Sequence, residues 1–255
     1  MHKTIISIAC LGLIAAIPAM AGTEVKPKIV AFSASVKVEV DATGKPVKVE
    51  APADLPQEIR TYIEKRVTMW HYEPAKSNGV PVAATTYVKV AACAIPSPAG
   101  DAFRLAADFD GNGPRYMGGK LMPPPQYPNE SRRQGKEAEF VLILDIAADG
   151  KVDIGAIEKA DISRPGGSGD FEDELRRWAK SLRFDPEQLA GSPVAGQVRM
   201  PVSFFMGATR DRKSLVEELE AKAKATRECQ MAQGDSSMRP VAVNSVVKVT
   251  SEPAG

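Results

Sequence analysis

Two histidines and three cysteines are all that 255 residues offer to the commonest nucleophile and metal chemistry: His2, His71, Cys10, Cys93 and Cys229. His71 stands between Trp70 and Tyr72 with no second imidazole or thiol at ligand spacing, so neither a histidine-based triad nor a zinc cage can be assembled around it. Asp108-Phe109-Asp110-Gly111-Asn112-Gly113 matches the first half of a calcium-binding loop. Pro114 and Arg115 then break the pattern, and Gly119 stands where the bidentate glutamate is required, so the stretch reads as a solvated turn. Gly166-Gly167-Ser168-Gly169 precedes a helical pattern but lacks the Lys-Ser/Thr pair that would hold a phosphate. With no nucleophile–base pair, metal spacing or phosphate cradle, the expectation is no enzyme, no catalytic or metal residues, no cofactor and no small-molecule substrate.

Binding through backbone and surface remains. Lys and Arg number 33 against 32 Asp and Glu, which leaves no basic excess to neutralise phosphates and argues against nucleic acid. Residues 1–21 read as a cleavable signal peptide. Lys3 supplies the positive end, residues 5–17 are an apolar run, and Ala19-Met20-Ala21 is a small-residue cleavage site before Gly22. Removing it takes away Lys3 and leaves charges of 32 against 32. Two other readings stay open: an uncleaved inner-membrane anchor, and a lipoprotein modified at Cys10. Export to an oxidising compartment would allow Cys93 and Cys229 to pair, the alternative being two buried thiols.

The elements that must position any binding surface come as a repeat. Trp70-His71-Tyr72-Glu73-Pro74, four residues, Gly79, one residue and Pro81-Val82 match Leu182-Arg183-Phe184-Asp185-Pro186, four residues, Gly191, one residue and Pro193-Val194. Upstream, alternating Val36, Val38 and Val40 lead to Asp41-Ala42-Thr43-Gly44-Lys45. Leu142, Leu144 and Ile146 lead likewise to Ala147-Ala148-Asp149-Gly150-Lys151. Each is a strand and tight turn with a second strand after it. Ile59, Ile63 and Val67 then follow helical spacing in the first copy, and Phe171, Leu175, Trp178 and Ala179 in the second, with Asp170 as the expected N-cap. A third strand follows each motif, over 85–90 and 197–205. Each copy is therefore expected to be a three-stranded antiparallel sheet crossed by one helix. Trp70 and Trp178 are expected in the cores.

Copy two resembles the C-terminal domain of the TonB family. The resemblance runs from Pro125-Gln126-Tyr127-Pro128 through Gly135, Asp149-Gly150-Lys151-Val152, Trp178, Arg183-Phe184-Asp185-Pro186 and Gly191-Ser192-Pro193-Val194 to Phe204. Copy one looks like a degenerate version without the Tyr-Pro motif. The fold expected is α+β: two tandem TonB-C-like units plus a C-terminal helix and strand. The expected divisions are a signal peptide at 1–21, a degenerate unit at 22–94, a linker at 95–122, the TonB-C-like unit at 123–208 and the extension at 209–255. That extension holds a helix over 214–231 and a strand over 241–249.

The resemblance implies a module of the Gram-negative periplasm that takes an extended peptide, or a segment of an outer-membrane or envelope protein, by strand addition. The residues it points to are Gln126 and Tyr127 of the Pro-Gln-Tyr-Pro motif and, on the strand-adding edge, Gln197, Val198, Arg199, Met200, Val202 and Phe204. Tyr127 has a second reading, that Tyr-Pro only fixes how the chain enters the sheet. Two further functions stay open: an energy transducer for transmembrane transport, which needs an N-terminal anchor and a long Pro-rich spacer, and a structural protein that dimerises through sheet edges. The C-terminal extension is placed to cover the edge a peptide would use.

Overall fold

The computed structural model describes residues 30–96, 103–118, 122–163, 169–206 and 241–251. The expected signal peptide and the helix expected over 214–231 lie outside the described residues. The first half runs β1 (Val30–Val40), β2 (Pro46–Glu50), α1 (Gln57–Thr68), β3 (His71–Glu73), a small hairpin of β4 (Ala75–Ser77) and β5 (Val80–Val82), and β6 (Ala84–Pro96). Next come β7 (Phe103–Gly113) and β8 (Arg115–Tyr116). The second half runs α2 (Asn129–Arg133), β9 (Ala138–Ile146), β10 (Val152–Ile162), α3 (Gly169–Ser181) and β11 (Phe184–Asp185). It continues through the small hairpin of β12 (Gln188–Leu189) and β13 (Ser192–Pro193) to β14 (Gly196–Phe204). Two short strands, β15 (Val241–Ala242) and β16 (Lys248–Ser251), close the described chain. The fold is α+β and dominated by strands.

Alternation of apolar and polar residues decides which face of each strand is inside. On β9, Phe140, Leu142, Leu144 and Ile146 point inward, and on β14 Val198, Met200, Val202 and Phe204 do the same. They meet Phe171, Leu175, Trp178 and Ala179 on one stripe of α3, with Leu182 and Phe184 closing the core. The first half repeats the arrangement with Val36, Val38 and Val40 of β1, Val88, Val90 and Ala92 of β6, Ile63 and Val67 of α1, and Trp70 and Tyr72. Trp70 and Trp178 are both core residues. Asp170 lies inside the first turn of α3 rather than capping it.

The two repeated motifs touch each other within each half. Gly44 and Gly150 take positive φ of 85° and 79°, where a side chain is disfavoured. A Cβ on Gly44 would collide with the Tyr72 carbonyl, and one on Gly150 with the Phe184 carbonyl. The hairpin turn lies against the motif strand, and the amide of Phe184 donates to the Gly150 carbonyl at 3.0 Å. The glycine turn and the Pro-containing motif recur together because each shapes the other's backbone.

Within the stretch expected as a linker, 95–122, the described residues include paired strands. β6 continues to Pro96, and β7 pairs antiparallel along it from Tyr87 to Pro96. The Asp108–Gly113 stretch is the end of that strand, not a solvated turn. β8 pairs with β11, where Arg115 forms an ion pair with Asp185 at 2.7 Å and stacks 4.6 Å over the Tyr87 ring. Neither sheet stops at three strands. The first has the order β13-β12-β6-β1-β2 with β7 also on β6, so the small hairpin of the second half joins the sheet of the first. The second sheet is β10-β9-β14-β15. The single strand expected over 241–249 is instead two short ones, with β15 on β14 and β16 on β3.

Candidate functional site

The segment leading into the second half is fixed by α3. The indole N–H of Trp178 donates to the Pro123 carbonyl at 2.7 Å, and the carboxylate of Glu174, one turn earlier, accepts the Gln126 amide at 2.7 Å. Arg177 holds the other oxygen of Glu174 at 2.8 Å. Tyr127 donates its hydroxyl to the Lys136 carbonyl. Its ring meets Phe171 and Phe204 edge-on, with centroids 6.0 and 5.6 Å apart. Burial pushes its phenol pKa up, with help from the negative charge of Glu137. Tyr127 is therefore committed to the fold, and only the Gln126 side chain stands exposed. The structure brings Tyr127 to Phe204, with Phe204 buried and Tyr127 half-buried against it.

On β14 the expected contact residues divide by strand alternation. Val198, Met200, Val202 and Phe204 are core side chains. Gln197 and Arg199 face outward. Gln197 bonds Asp145 at 2.7 Å, and Arg199 pairs with Glu158 at 2.6 Å. The backbone follows its own alternation. The Gln197 carbonyl accepts from the Val243 amide at 2.9 Å, and the Gln197 amide donates to the Asn244 side-chain oxygen at 3.0 Å. Residues 197, 199, 201 and 203 thus present their backbone groups to the outer edge. Position 201 is a proline and offers a carbonyl but no donor, which blunts the edge against pairing. Among the described residues, β15 pairs only with Val198 and Arg199, and no strand lies against the edge from Met200 to Phe204.

A buried polar knot joins this edge to the first half. Glu187 is only 2% exposed. One of its oxygens accepts from Thr86 of β6 at 2.5 Å and from Ser245 at 2.7 Å, and the other from the Val246 amide at 3.2 Å. Asn112 of β7 donates to Thr86, Ser245 and the Val247 carbonyl at 3.1, 2.6 and 2.7 Å. Burial raises the Glu187 pKa, and the donors around it pull it down without cancelling the effect. Nothing in the chemistry-first reading of the sequence pointed to Glu187. The repeat did hold a signal: the equivalent position, 112 residues earlier, is Ala75, itself 2% exposed. A glutamate at a position that is small and apolar in the sister copy must have donors waiting for it.

The described residues contain no group of three His, Cys, Asp or Glu side chains able to hold a metal ion. No helix among them is long and apolar enough to cross a membrane. His71 is exposed, with its backbone paired to Ser251. Cys93 is buried and disulfide-bonded. Cys229, its expected partner, lies outside the described residues.

Two strands flanking a third, a helix across their inner face and a fixed lead-in segment define a small α+β domain built around a strand edge. Residues 123–206 match the family described as Gram-negative bacterial TonB protein C-terminal. Protein TonB from Xanthomonas campestris pv. campestris, in strain B100 and equally in strain ATCC 33913, is 33% identical over 87 residues. That match covers 34% of this chain and 37% of each relative, so the chain spans little more than a third of the length of those proteins. A solution NMR structure of the Pseudomonas aeruginosa TonB C-terminal domain is also similar. It shares 24% identity over 38% of this chain and 90% of its own, with a TM-score of 0.27. The similarity to the TonB C-terminal family therefore belongs to residues 123–206.

Proposed function

We propose that this chain is a periplasmic TonB-like binding module that takes an extended segment of an outer-membrane or envelope protein by strand addition to β14. The observation that carries the reading is the family match over residues 123–206, which spans the β9-β14 pair and its outer edge. A peptide laid along that edge would gain main-chain hydrogen bonds at Arg199 and Ser203 and at the Pro201 carbonyl. Its contacts would be mostly backbone, because the inward side chains of β14 are in the core. Residues 22–94 act in this reading as a degenerate sister unit. It shares the order of elements and the antiparallel β2-β1-β6 arrangement but lacks the Tyr-Pro lead-in.

The test is a titration of the isotope-labelled protein, starting at Gly22, with a synthetic TonB-box peptide, following backbone amide shifts. Shifts concentrated at Gln197, Arg199 and Ser203 are expected. Saturating binding that leaves those three amides unmoved refutes strand addition at β14, and no binding at all refutes the partner class. The location is tested separately: protein recovered from cells should begin at Gly22, and retention of residues 1–21 would favour an anchored transducer.

A further inference from the structure

We propose that residues 241–243 are a lid that occupies the peptide edge in cis, hinged on an anchor formed by residues 245–251, so that an incoming peptide must displace the lid. The inference rests on the reading of β14 as a peptide-binding edge. Its basis is an asymmetry within the C-terminal segment. The anchor is built into the first half: Val247 is 0% exposed in that core, β16 pairs with β3, and Ser245 and Val246 are tied to Glu187. The lid is slight. β15 is a two-residue strand, Val243 is 51% exposed, and its hold on Gln197 is one backbone hydrogen bond plus the Asn244 side chain. The lid can peel from β14 without pulling Val247 from the core.

The bonds that close the lid are also those with which a peptide in trans would begin its ladder. They describe the partner's chemistry: an extended, uncharged stretch with small or β-branched residues like Val241-Ala242-Val243, followed by a residue whose side chain accepts a hydrogen bond as Asn244 does. Because the anchor holds the lid at high effective concentration, a free peptide competes at a disadvantage. The two hydrogen bonds at Gln197 alone, beside the β15 pairing with Val198 and Arg199, correspond to about a tenfold to hundredfold loss of apparent affinity.

The experiment uses the full chain and two variants. Val243→Pro removes the amide that bonds Gln197, and Val243→Ala keeps it; both change an exposed side chain. Hydrogen exchange at Gln197 and Arg199 is measured first. Binding of two synthetic peptides follows: one with the sequence Arg239-Pro240-Val241-Ala242-Val243-Asn244-Ser245, and the TonB-box peptide. The expected result is faster exchange at Gln197 in Val243→Pro only, with both peptides bound at least about tenfold more tightly than by the wild type or Val243→Ala. Equal TonB-box affinity across the three proteins overturns the lid and leaves the proposed function standing. A Val243→Pro protein that takes up the lid peptide but not the TonB-box peptide upholds the lid and removes the proposed partner class. Unchanged exchange at Gln197, or no binding of either peptide by any of the three, overturns the lid.

Discussion

Glu187 is the residue whose replacement most directly tests how the halves are joined. In Glu187→Ala the Val246 amide and the Thr86 hydroxyl lose their acceptor, while Ser245 keeps the Val247 carbonyl at 2.7 Å. Two orphaned donors at about 1–3 kcal/mol each, less the relief of no longer burying a carboxylate, give a net loss of about 3 kcal/mol. For a chain of this size that lowers the melting temperature by about 6–12 °C. Glu187→Gln should sit within about 1 kcal/mol of the wild type, because the rotatable hydroxyls can accept from its amide while its oxygen takes the Val246 amide. The pH dependence separates the two variants further. The folded-state pKa of Glu187 is raised, so between the ordinary carboxylate value and the raised one the native state holds a proton that the unfolded state has released. Its contribution is present below the ordinary carboxylate pKa and is lost as pH rises from there through the raised value. Glu187→Gln cannot lose it, so its stability relative to the wild type should improve as pH rises from 4 to 8. Thermal melts of the three proteins across that range are the assay. A Glu187→Ala protein within about 1 kcal/mol of the wild type, or a Glu187→Gln difference flat with pH, refutes the reasoning.

Four other outcomes are expected. Gly150→Ala should cost at least about 2 kcal/mol in a urea titration, from the left-handed backbone plus collision with the Phe184 carbonyl. Gly191→Ala, at similar φ with no atom within 4 Å, should cost about 1 kcal/mol. Trp178→Phe removes the donor to Pro123 and should cost about 1–2 kcal/mol, with faster hydrogen exchange at Gln126 as the lead-in segment loosens. Non-reducing digestion and mass spectrometry of the protein recovered from cells should show Cys93 linked to Cys229, and a free Cys229 thiol would exclude that pairing.

Much of each half was readable because its signals were local. The alternation of Val36, Val38 and Val40, the helical spacing of Phe171, Leu175 and Trp178, and the turn glycines each carry their own geometry. The parts that escaped depend on partners distant in sequence. Phe103–Gly113 reads as loop because Asp108, Asp110, Gly111 and Asn112 are poor strand formers, yet it forms a strand because β6 offers a long edge beside it. Tyr127 was flagged as a motif, but whether its ring faced a ligand or Phe204 could not be read without the sheet. The division of β14 into core side chains and edge backbone was implicit in its alternation.

The two halves place equivalent strands, β6 and β14, at equivalent positions, 112 residues apart at Ala84 and Gly196. Their outer edges are treated differently. On β6, β12 takes Ala84 and Thr85 and β7 takes the edge from Tyr87 to Pro96, so that edge is spent on holding the chain together. On β14 only Val198 and Arg199 are taken, by a two-residue strand, and Pro201 interrupts the rest. A sealed edge needs no further protection. An edge kept short of partners would invite aggregation, and a proline on it with a small lid over one end is how such an edge is kept soluble while staying reachable. The open edge lies in the half that carries the family match, which is where the proposed function puts the peptide, while the other half uses its edge for pairing within the chain. The first half receives β12 and anchors the C-terminal segment through Val247, so the proposed lid on one unit is hinged on the core of its sister.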